Sequence, residues 1–451
     1  MNINELQFGL DTFGDTSVDE QGNRQSDAQT IRNIVEQAKL ADELGLYGFN
    51  IGEHHRDDFA VSAPDTILAG IATVTKNIKL GTGVTVLSSD DPIRVYQRFA
   101  TIDALSSGRA EITAGRGSFT ESFPLFGYNL SDYHSLFEEK LELLVELFKE
   151  QPVTWTGHHT PSLNNQIVYP RSHSGHMNLR VGVGGSPESV VRAARHGIPM
   201  ALAIIGGDPA RFAPFAQLYR NQLKEFGKEL LPVSIHSPGY LAPTDEEAQA
   251  EFWPYYQGSF GRIGRERGWG EATHGHYMSE VLHGSMYVGS PETVAQKIAY
   301  AVRSVGAQRF DLKYANGPMP HSMLMSSIEL YATQVIPRVR ELLSTLPSQD
   351  LVITLNPWDL ALWVYPAAEW LLTSASTFSP ASAARTLSRV LGVCSPSSGS
   401  AWIARRRPTM PAWRPSTRRT PPAATRCRTR CGCAILPVRQ IGRASCRERV
   451  S

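Results

Sequence analysis

Cysteine is absent from the first 350 residues of this 451-residue chain, because all five thiols lie after that point. The body of the chain therefore needs neither disulfide bonds nor a structural zinc site. No run of about 18 clean apolar residues occurs, so no membrane span is expected. The first residues lack the basic start and long apolar run of a secretory signal, and we expect a cytoplasmic protein.

Charge is divided unevenly along the chain. Residues 351–451 contain 15 Arg, no Lys and 3 acidic residues, whereas the preceding residues contain 29 basic and 40 acidic side chains. The net charge of the whole chain is therefore near zero although residues 1–350 are acidic, and an acidic protein is a poor match to a polyanion such as nucleic acid. We expect neither a nucleic-acid partner nor a membrane partner.

The end of the chain has the composition of a tail without a fold. After about residue 348 helical and strand periodicity disappear together, and Arg, Pro, Ala and Ser dominate. Arginine without lysine is typical of a GC-rich gene read out of frame, and residues 440–451 look like one translated frame of a sequencing adapter. We predict a domain at 1–348 and a disordered, non-native tail at 349–451. A basic arm with a metal site at Cys427, Cys431 and Cys433 is the alternative, but paired C-x-x-C spacing is missing.

Between residues 6 and 346 short β-rich runs alternate with amphipathic helices, which is typical of a parallel sheet covered by helices. Eight repeats in roughly 340 residues favour a closed (β/α)8 TIM barrel over an open doubly wound sheet. We also predict a small hairpin within 153–169 and lid insertions at 116–133 and about 255–287. The strands are predicted near residues 6–12, 47–53, 78–87, 109–115, 179–184, 199–205, 233–241 and 309–315.

Four motifs coincide with successive predicted strands or follow them. Glu53-His54-His55 ends the second, Gly81 to Leu87 forms the third, Ala114-Gly115-Arg116-Gly117 follows the fourth, and Gly184 to Glu188 follows the fifth. The carboxyl ends of parallel barrel strands meet at one rim, where such enzymes keep their catalytic residues. There the imidazole of His54 is suited to giving or taking a proton near pH 7, beside a carboxylate.

Two of the motifs are suited to an anion. Arg116 lies between glycines, so backbone can approach a ligand closely while the guanidinium binds phosphate oxygens. Ser186 and Pro187 start a helix, and the unbonded amides of such a helix attract anions. The same pattern recurs as Gly289-Ser290-Pro291-Glu292-Thr293, and local sequence explains both serines as ordinary caps.

Together the four motifs resemble the bacterial luciferase family of FMN-dependent monooxygenases, over residues 3 to about 345. The resemblance implies a TIM barrel that binds reduced FMN and uses O2, through a flavin C4a-hydroperoxide, to oxygenate a small organic substrate. It assigns active-site roles to His54 and Glu53. The cofactor-binding residues it implies are Gly83, Val84, Arg116, Gly185, Ser186 and Ser189.

Several points stay open at this level. Related barrels place a bulge or a non-proline cis peptide at Gly83-Val84, whereas the competing interpretation is a glycine chosen for close packing. A deazaflavin-dependent hydride transfer without O2, or flavin binding without turnover, would use the same rim motifs. No G-x-G-x-x-G unit for a nicotinamide dinucleotide is present, which favours a separate flavin reductase, and the resemblance implies a homodimer.

Metal binding is not expected, because His54 and His55 diverge as neighbours on a strand and His274 and His276 lie in a Gly-rich insertion. Aromatic residues concentrate in the two insertions. They either wall an apolar substrate pocket or pack the insertions onto the barrel, and they are Phe119, Phe123, Phe126, Tyr128, Trp253, Tyr255, Tyr256 and Trp269.

Overall fold

The computed structural model describes residues 5–117, 119–268 and 270–345, and the predicted tail at 349–451 lies outside the described residues. All eight predicted strands are found, the third as two segments, β3 and β4. The strands are β1 Gln7–Thr12, β2 Gly48–Ile51, β3 Lys79–Thr82, β4 Thr85–Val86, β5 Glu111–Gly115, β6 Val153–Trp155, β7 Leu163–Gln166, β8 Asn178–Val183, β9 Met200–Ala203, β10 Val233–Leu241, β11 Tyr287–Gly289 and β12 Arg309–Lys313.

Helices alternate with these strands as the sequence predicts. A π-helical turn at Tyr331–Val335 joins the last two of them. The helices are α1 Asp27–Glu43, α2 Pro64–Val74, α3 Pro92–Leu105, α4 Ser122–Phe126, α5 Tyr133–Leu147, α6 Pro187–His196, α7 Ala213–Glu225, α8 Asp245–Arg267, α9 His274–His283, α10 Pro291–Val305, α11 His321–Leu330 and α12 Ile336–Ser344.

Local sequence accounts for the helix ends, as α1 illustrates. The hydroxyl of Ser26 accepts a hydrogen bond from the backbone N–H of Gln29 and caps the helix. The apolar residues at helical spacing, Ile34 and Ala38 among them, are buried against the sheet. Gly45, with a φ of 76°, then reverses the chain into β2.

The sheet closes into a barrel on its third strand. The hydrogen-bonded order is β3-β2-β1-β12-β10-β9-β8-β5-β4, and each of these neighbouring pairs is parallel. Because β3 and β4 are consecutive segments of residues 79–86, the order begins and ends on the same strand. A parallel bridge from Leu80 to Ala110 completes the seam. The predicted eight-stranded TIM barrel is therefore confirmed.

Two smaller elements lie outside the barrel. The predicted hairpin is confirmed, since β6 and β7 pair antiparallel. Strand β11, only three residues long, pairs with β10 off the barrel path and was not predicted from the sequence. No helix within the described residues is both long enough and apolar enough to cross a membrane.

A network of buried ion pairs lies inside the barrel and connects β5, β8 and β12. Arg309 donates to Glu111 at 2.7 Å and to Asp311 at 2.8 Å. Arg180 approaches Asp311 at 3.1 Å and Glu111 at 3.7 Å. Asn50 of β2 accepts from both guanidinium groups. Each charge thus has a partner of opposite sign, which offsets the cost of removing it from water.

The two carboxylates depend on these arginines for their charge. Burial by itself favours the neutral acid, but the charges of Arg309 and Arg180 outweigh it and hold the pKa of Glu111 and Asp311 below their ordinary values. A lowered native pKa stabilises the fold at pH values above the unfolded pKa, and this stabilisation is lost as the pH falls through the native pKa.

The substitution Glu111→Gln tests this network. It removes one carboxylate and leaves a buried positive charge uncompensated, so we expect the free energy of unfolding at neutral pH to fall by about 3 kcal/mol. Urea denaturation followed by circular dichroism measures the loss. The difference in the free energy of unfolding between wild type and variant should become smaller only at acid pH, because Glu111 must first be protonated in the native state.

The matched control is Glu229→Gln, which neutralises an exposed carboxylate. Its effect should stay within about 0.5 kcal/mol. Equal losses in the two variants would contradict the assignment of stability to the buried network.

Candidate active site

A cavity of about 800 Å³ opens among the loops that follow the barrel strands. Five of the eight predicted site residues line it: Glu53, His54, Gly83, Val84 and Arg116. Gly185, Ser186 and Ser189 do not line it. They lie at the start of α6, where Ser189 is within reach of Arg116. The structure thus brings all four sequence motifs to one rim.

The imidazole of His54 is packed among phenyl rings. Its centroid lies 4.3 Å from Phe59, 4.8 Å from Phe13 and 4.8 Å from Phe119. The residue is only 9% exposed, although it lines the cavity. An aromatic wall therefore fixes the ring and limits the approach of water.

Glu53 pairs with His55 and with backbone. Its Oε1 lies 3.1 Å from Nε2 of His55, and its Oε2 accepts a hydrogen bond from the N–H of Val86 at 3.1 Å. The carboxylate therefore ties the loop after β2 to β4. This contact suits a residue that positions the loop carrying His54, and the catalytic role of Glu53 stays a prediction.

The break between β3 and β4 falls at the Gly83-Val84 peptide, which is cis. Close packing is present as well, since a Cβ on Gly83 would lie 2.2 Å from Oδ2 of Asp11. The cis peptide and the close packing, which the sequence left as alternatives, are therefore both present at Gly83. Glycine is required there because the carboxylate occupies the space of a side chain.

Positive charge and hydroxyl groups converge at the start of α6. Nη1 of Arg116 lies 3.1 Å from Nδ1 of His134, and Nη2 lies 3.5 Å from the hydroxyl of Ser189. The guanidinium of Arg192 is 3.4 Å from the same hydroxyl, which also accepts from Ser186 at 2.9 Å. Arg192 is also paired with the carboxylate of Glu138, whereas no acidic side chain pairs with Arg116 among the described residues. A cation beside a helix N-terminus is suited to an anion such as phosphate.

The second cap motif, at Ser290, is already filled by a carboxylate of the chain itself. Asp245 accepts from the backbone N–H of Ser290 at 2.6 Å and from the hydroxyl of Thr293 at 2.8 Å. No acidic side chain takes the equivalent place at Ser186 among the described residues. Local sequence explains both motifs as caps, and only the resemblance and the position after the fifth strand favoured Ser186; in the structure a distant aspartate distinguishes them.

Sequence reasoning missed four ionisable residues on the floor of the cavity. Oδ2 of Asp11 lies 2.9 Å from Nδ1 of His236, and Nζ of Lys313 lies 3.3 Å from Oδ2 of Asp15. All four line the cavity. Asp11, His236 and Lys313 stand on the barrel strands β1, β10 and β12. A polar residue at an inward position of a buried strand was the available signal.

Both insertions predicted as lids contribute to the cavity. Phe119 comes from the first, and residues 258–260, 262 and 263 of α8 come from the second. Arg56, in the loop after β2, donates to Glu266 of α8 at 2.6 Å, and Arg262 of α8 donates to Asp57 at 2.6 Å. Hydrogen bonds to Glu266 and Asp58 raise the pKa of Arg56, which stays charged. These ion pairs hold α8 against the loop that carries His54.

The aromatic residues of the insertions divide between the two predicted roles. Phe119 walls the cavity. Trp253 and Tyr256 pack on Tyr277 of α9, at 5.2 Å and 5.0 Å between ring centroids, and so join the two helices of the second insertion. Trp269 lies outside the described residues.

A profile of the family described as luciferase-like monooxygenase matches residues 12–309. The chain belongs to this family. N-acetyl-S-alkylcysteine monooxygenase of Bacillus subtilis is 29% identical over 242 residues, which cover 51% of this chain and 67% of that protein. Two uncharacterized proteins of Sinorhizobium fredii are 33% and 30% identical, but the chain spans only 40% and 56% of their lengths.

Solved structures share the fold at low identity. The oxygenating constituent of 3,6-diketocamphane monooxygenase from Pseudomonas putida, in complex with FMN, has a TM-score of 0.59 at 18% identity over 74% of this chain and 98% of that one. Coenzyme F420 dependent tetrahydromethanopterin reductase from Methanopyrus kandleri has a TM-score of 0.57 at 19% identity, over 74% and 99%. The luciferase-like barrel is thus confirmed, and the cofactor is left open between two types.

The substitution Glu266→Gln tests the ion pairs at the cavity mouth. Glu266 is 40% exposed on its side chain, so we expect a loss of about 1 kcal/mol of local stability. Amide hydrogen exchange in the second half of α8 should become about fivefold faster, and added salt should reduce the difference from the wild type. The control Glu271→Gln removes an exposed carboxylate nearby. Unchanged exchange in Glu266→Gln at low salt would contradict this role.

Proposed function

We propose that this protein is a flavin-dependent monooxygenase that binds reduced FMN in the cavity and uses O2 to oxygenate a small organic substrate. The observation that carries the proposal is the convergence of Arg116 and Arg192 on Ser189, next to a cavity with an aromatic wall. FMN joins an anionic phosphate to a flat ring system, so it needs these two environments side by side. When bound, the reduced flavin supplies two electrons to O2.

The residues at the start of α6 fit the phosphate. Arg116 offers a planar fork of N–H donors, and the hydroxyls of Ser186 and Ser189 are further donors. The positive end of the α6 dipole adds to this attraction. Gly185, with a φ of 97°, lets the backbone turn there, and a Cβ on Gly184 would meet no atom within 4 Å, so this backbone is open to the cavity.

The rest of the cavity fits a flavin ring and a reaction that must exclude water. The backbone of Gly83 and Val84 provides a surface without a polar side chain, and Phe13, Phe59 and Phe119 supply an apolar wall. We assign His54 to proton transfer at the flavin, since its imidazole contacts all three rings of this wall. Glu53 positions the His54 loop through His55 and Val86.

Reduced FMN is expected from a separate flavin reductase, and a homodimer is expected from the family. The second candidate function is hydride transfer from a deazaflavin without O2. It is favoured by the likeness to the coenzyme F420 dependent reductase. Flavin binding without turnover is the third candidate, and His54 would then be dispensable.

The substitution Arg116→Ala tests the phosphate site. Loss of a charge-assisted hydrogen bond to phosphate costs about 2 kcal/mol, so the affinity for reduced FMN should fall about thirtyfold. The affinity for reduced riboflavin, which has no phosphate, should be unchanged. Anaerobic titration with the two ligands measures both values, and the exposed Arg94→Ala serves as control. An equal loss for both ligands, or wild-type affinity for FMN, would contradict the assignment.

The release of hydrogen peroxide from reduced FMN tests the oxygen chemistry. A site that shields the flavin from water should lower the peroxide yield on mixing with O2, compared with free FMN. His54→Asn should bind FMN with affinity within about twofold of the wild type and restore most of the peroxide release. His276→Asn, at an exposed histidine of α9, is the matched control. Peroxide release that is identical with and without protein, together with tight binding of coenzyme F420, would favour the hydride-transfer candidate.

A further inference from the structure

Asp11 and His236 form a pair on the cavity floor that the proposed flavin site does not use. Oδ2 of Asp11 lies 2.9 Å from Nδ1 of His236. Their strands, β1 and β10, are separated by β12, so the contact crosses the inside of the barrel. The side chain of Asp11 is 3% exposed, whereas that of His236 is 15% exposed and faces the cavity.

The surroundings hold the imidazole in one orientation. Its ring lies parallel to that of Phe13, with centroids 5.8 Å apart and an interplanar angle of 9°. The carboxylate of Asp11 lies so close to Gly83 that a Cβ there would be 2.2 Å from Oδ2. With Nδ1 directed at Asp11, the other ring nitrogen, Nε2, makes no hydrogen bond among the described residues. A carboxylate that orients a histidine in this way is the arrangement of a general base.

The charged side chains next to the Asp11–His236 pair form ion pairs with other residues. Asp311 and Lys313, on the adjacent β12, face it, and Asp311 is bound by the two arginines of the barrel network while Lys313 is paired with Asp15. On the other side of His236, β9 contributes the neutral Ala203. Burial raises the pKa of Asp11, and the adjacent His236 opposes this rise. The Asp11–His236 pair is thus set apart from the ion pairs that stabilise the barrel.

The aromatic wall meets this pair at one residue, Phe13. Phe13 stacks on His236 and also lies 4.8 Å from His54, between ring centroids. The charged side chains at the mouth are engaged with one another, Arg56 with Glu266 and Asp58, and Arg262 with Asp57 and Asp58. A flat apolar ring placed along Phe13 would lie next to the imidazole of His236. The other polar groups at Phe13 are His54, which is packed in the aromatic wall, and Nζ of Lys313, which lies 4.5 Å from the Phe13 centroid and is paired with Asp15.

We infer that the substrate is an aromatic compound with a hydroxyl group, and that His236 removes the proton of that hydroxyl while Asp11 positions the imidazole. In this step the O–H bond breaks, an N–H bond forms at Nε2, and the electron pair remains on the oxygen. The negative charge of the phenolate is delocalised into its ring, and this makes the ring more reactive toward an oxygen atom. This inference rests on the proposed function, in which O2 gives one atom to the substrate and one to water, and the reduced flavin gives two electrons.

The test uses 4-nitrophenol as probe, because its anion absorbs visible light and its neutral form does not. The full chain without flavin is titrated with the probe across a range of pH, and the spectrum of the bound probe is recorded. We expect the wild type to favour the bound anion about tenfold more than His236→Gln does, because a positive imidazolium stabilises the phenolate. Asp11→Asn keeps a hydrogen-bond acceptor but loses the charge, and should fall between the two.

Two comparisons keep the test independent of folding defects. Nitrobenzene lacks the hydroxyl, and the wild type should bind it at least tenfold more weakly than 4-nitrophenol at a pH where the probe is ionised. His276→Gln, at an exposed histidine, should titrate like the wild type. Thermal melting of each variant reports whether the fold is kept.

Three results would overturn the inference: equal binding of nitrobenzene and 4-nitrophenol, the same probe titration in the wild type and in folded His236→Gln, or no binding of either compound. None of these results bears on the flavin site, because the probe is measured without FMN. Conversely, a failure of FMN to bind would contradict the proposed function while the probe titration still reports on His236.

Discussion

Closure of the barrel on one divided strand is the constraint on which the site depends. The β3 segment pairs with β2 and the β4 segment pairs with β5, so the break at Gly83 joins the two ends of the sheet. Because all barrel neighbours are parallel, every strand delivers its carboxyl end to the same rim. Residues as far apart in sequence as His54 and Gly184 therefore line one cavity. A side chain at Gly83 would push against Asp11 and disturb both this seam and the cavity floor.

Charge is arranged in layers along the barrel. The inner layer, Arg180 and Arg309 with Glu111 and Asp311, is fully paired and stabilises the fold. The layer above it, at the cavity floor, is poised for proton transfer because His236 keeps one ring nitrogen without a protein partner among the described residues. Buried charges that are neutralised can be structural, whereas a histidine open to a cavity can exchange a proton with a bound molecule.

The sequence predicts the barrel well because each unit carries its own signal, an apolar run of strand length followed by an amphipathic helix. It predicts the rim motifs because glycines, a helix cap and a histidine at strand ends are local patterns. The local cap pattern alone could not separate Ser186 from Ser290, because the difference is made by Asp245, which is distant in sequence from Ser290 and fills the second cap. Strand β11 was not predicted because its three residues are too few to show a strand periodicity.

The charged residues inside the barrel were not predicted for a related reason. Arg309 has one partner, Asp311, on its own strand, but Glu111 and Arg180 reach β12 from other strands that local sequence does not identify. Asp11 and His236 are 225 positions apart, and only barrel closure places them 2.9 Å from each other. Glu53 illustrates the reverse case, in which neighbours in sequence suggest a pairing with His54 but the carboxylate binds His55.

A crystal structure of the protein with FMN bound tests the central claim most directly. The account predicts a phosphate within hydrogen-bonding distance of Arg116 and of the hydroxyl of Ser189, and a flavin ring that lies in the cavity against Gly83 and Val84. A phosphate bound elsewhere, such as at Ser290 in place of Asp245, or a flavin outside the cavity, would contradict it.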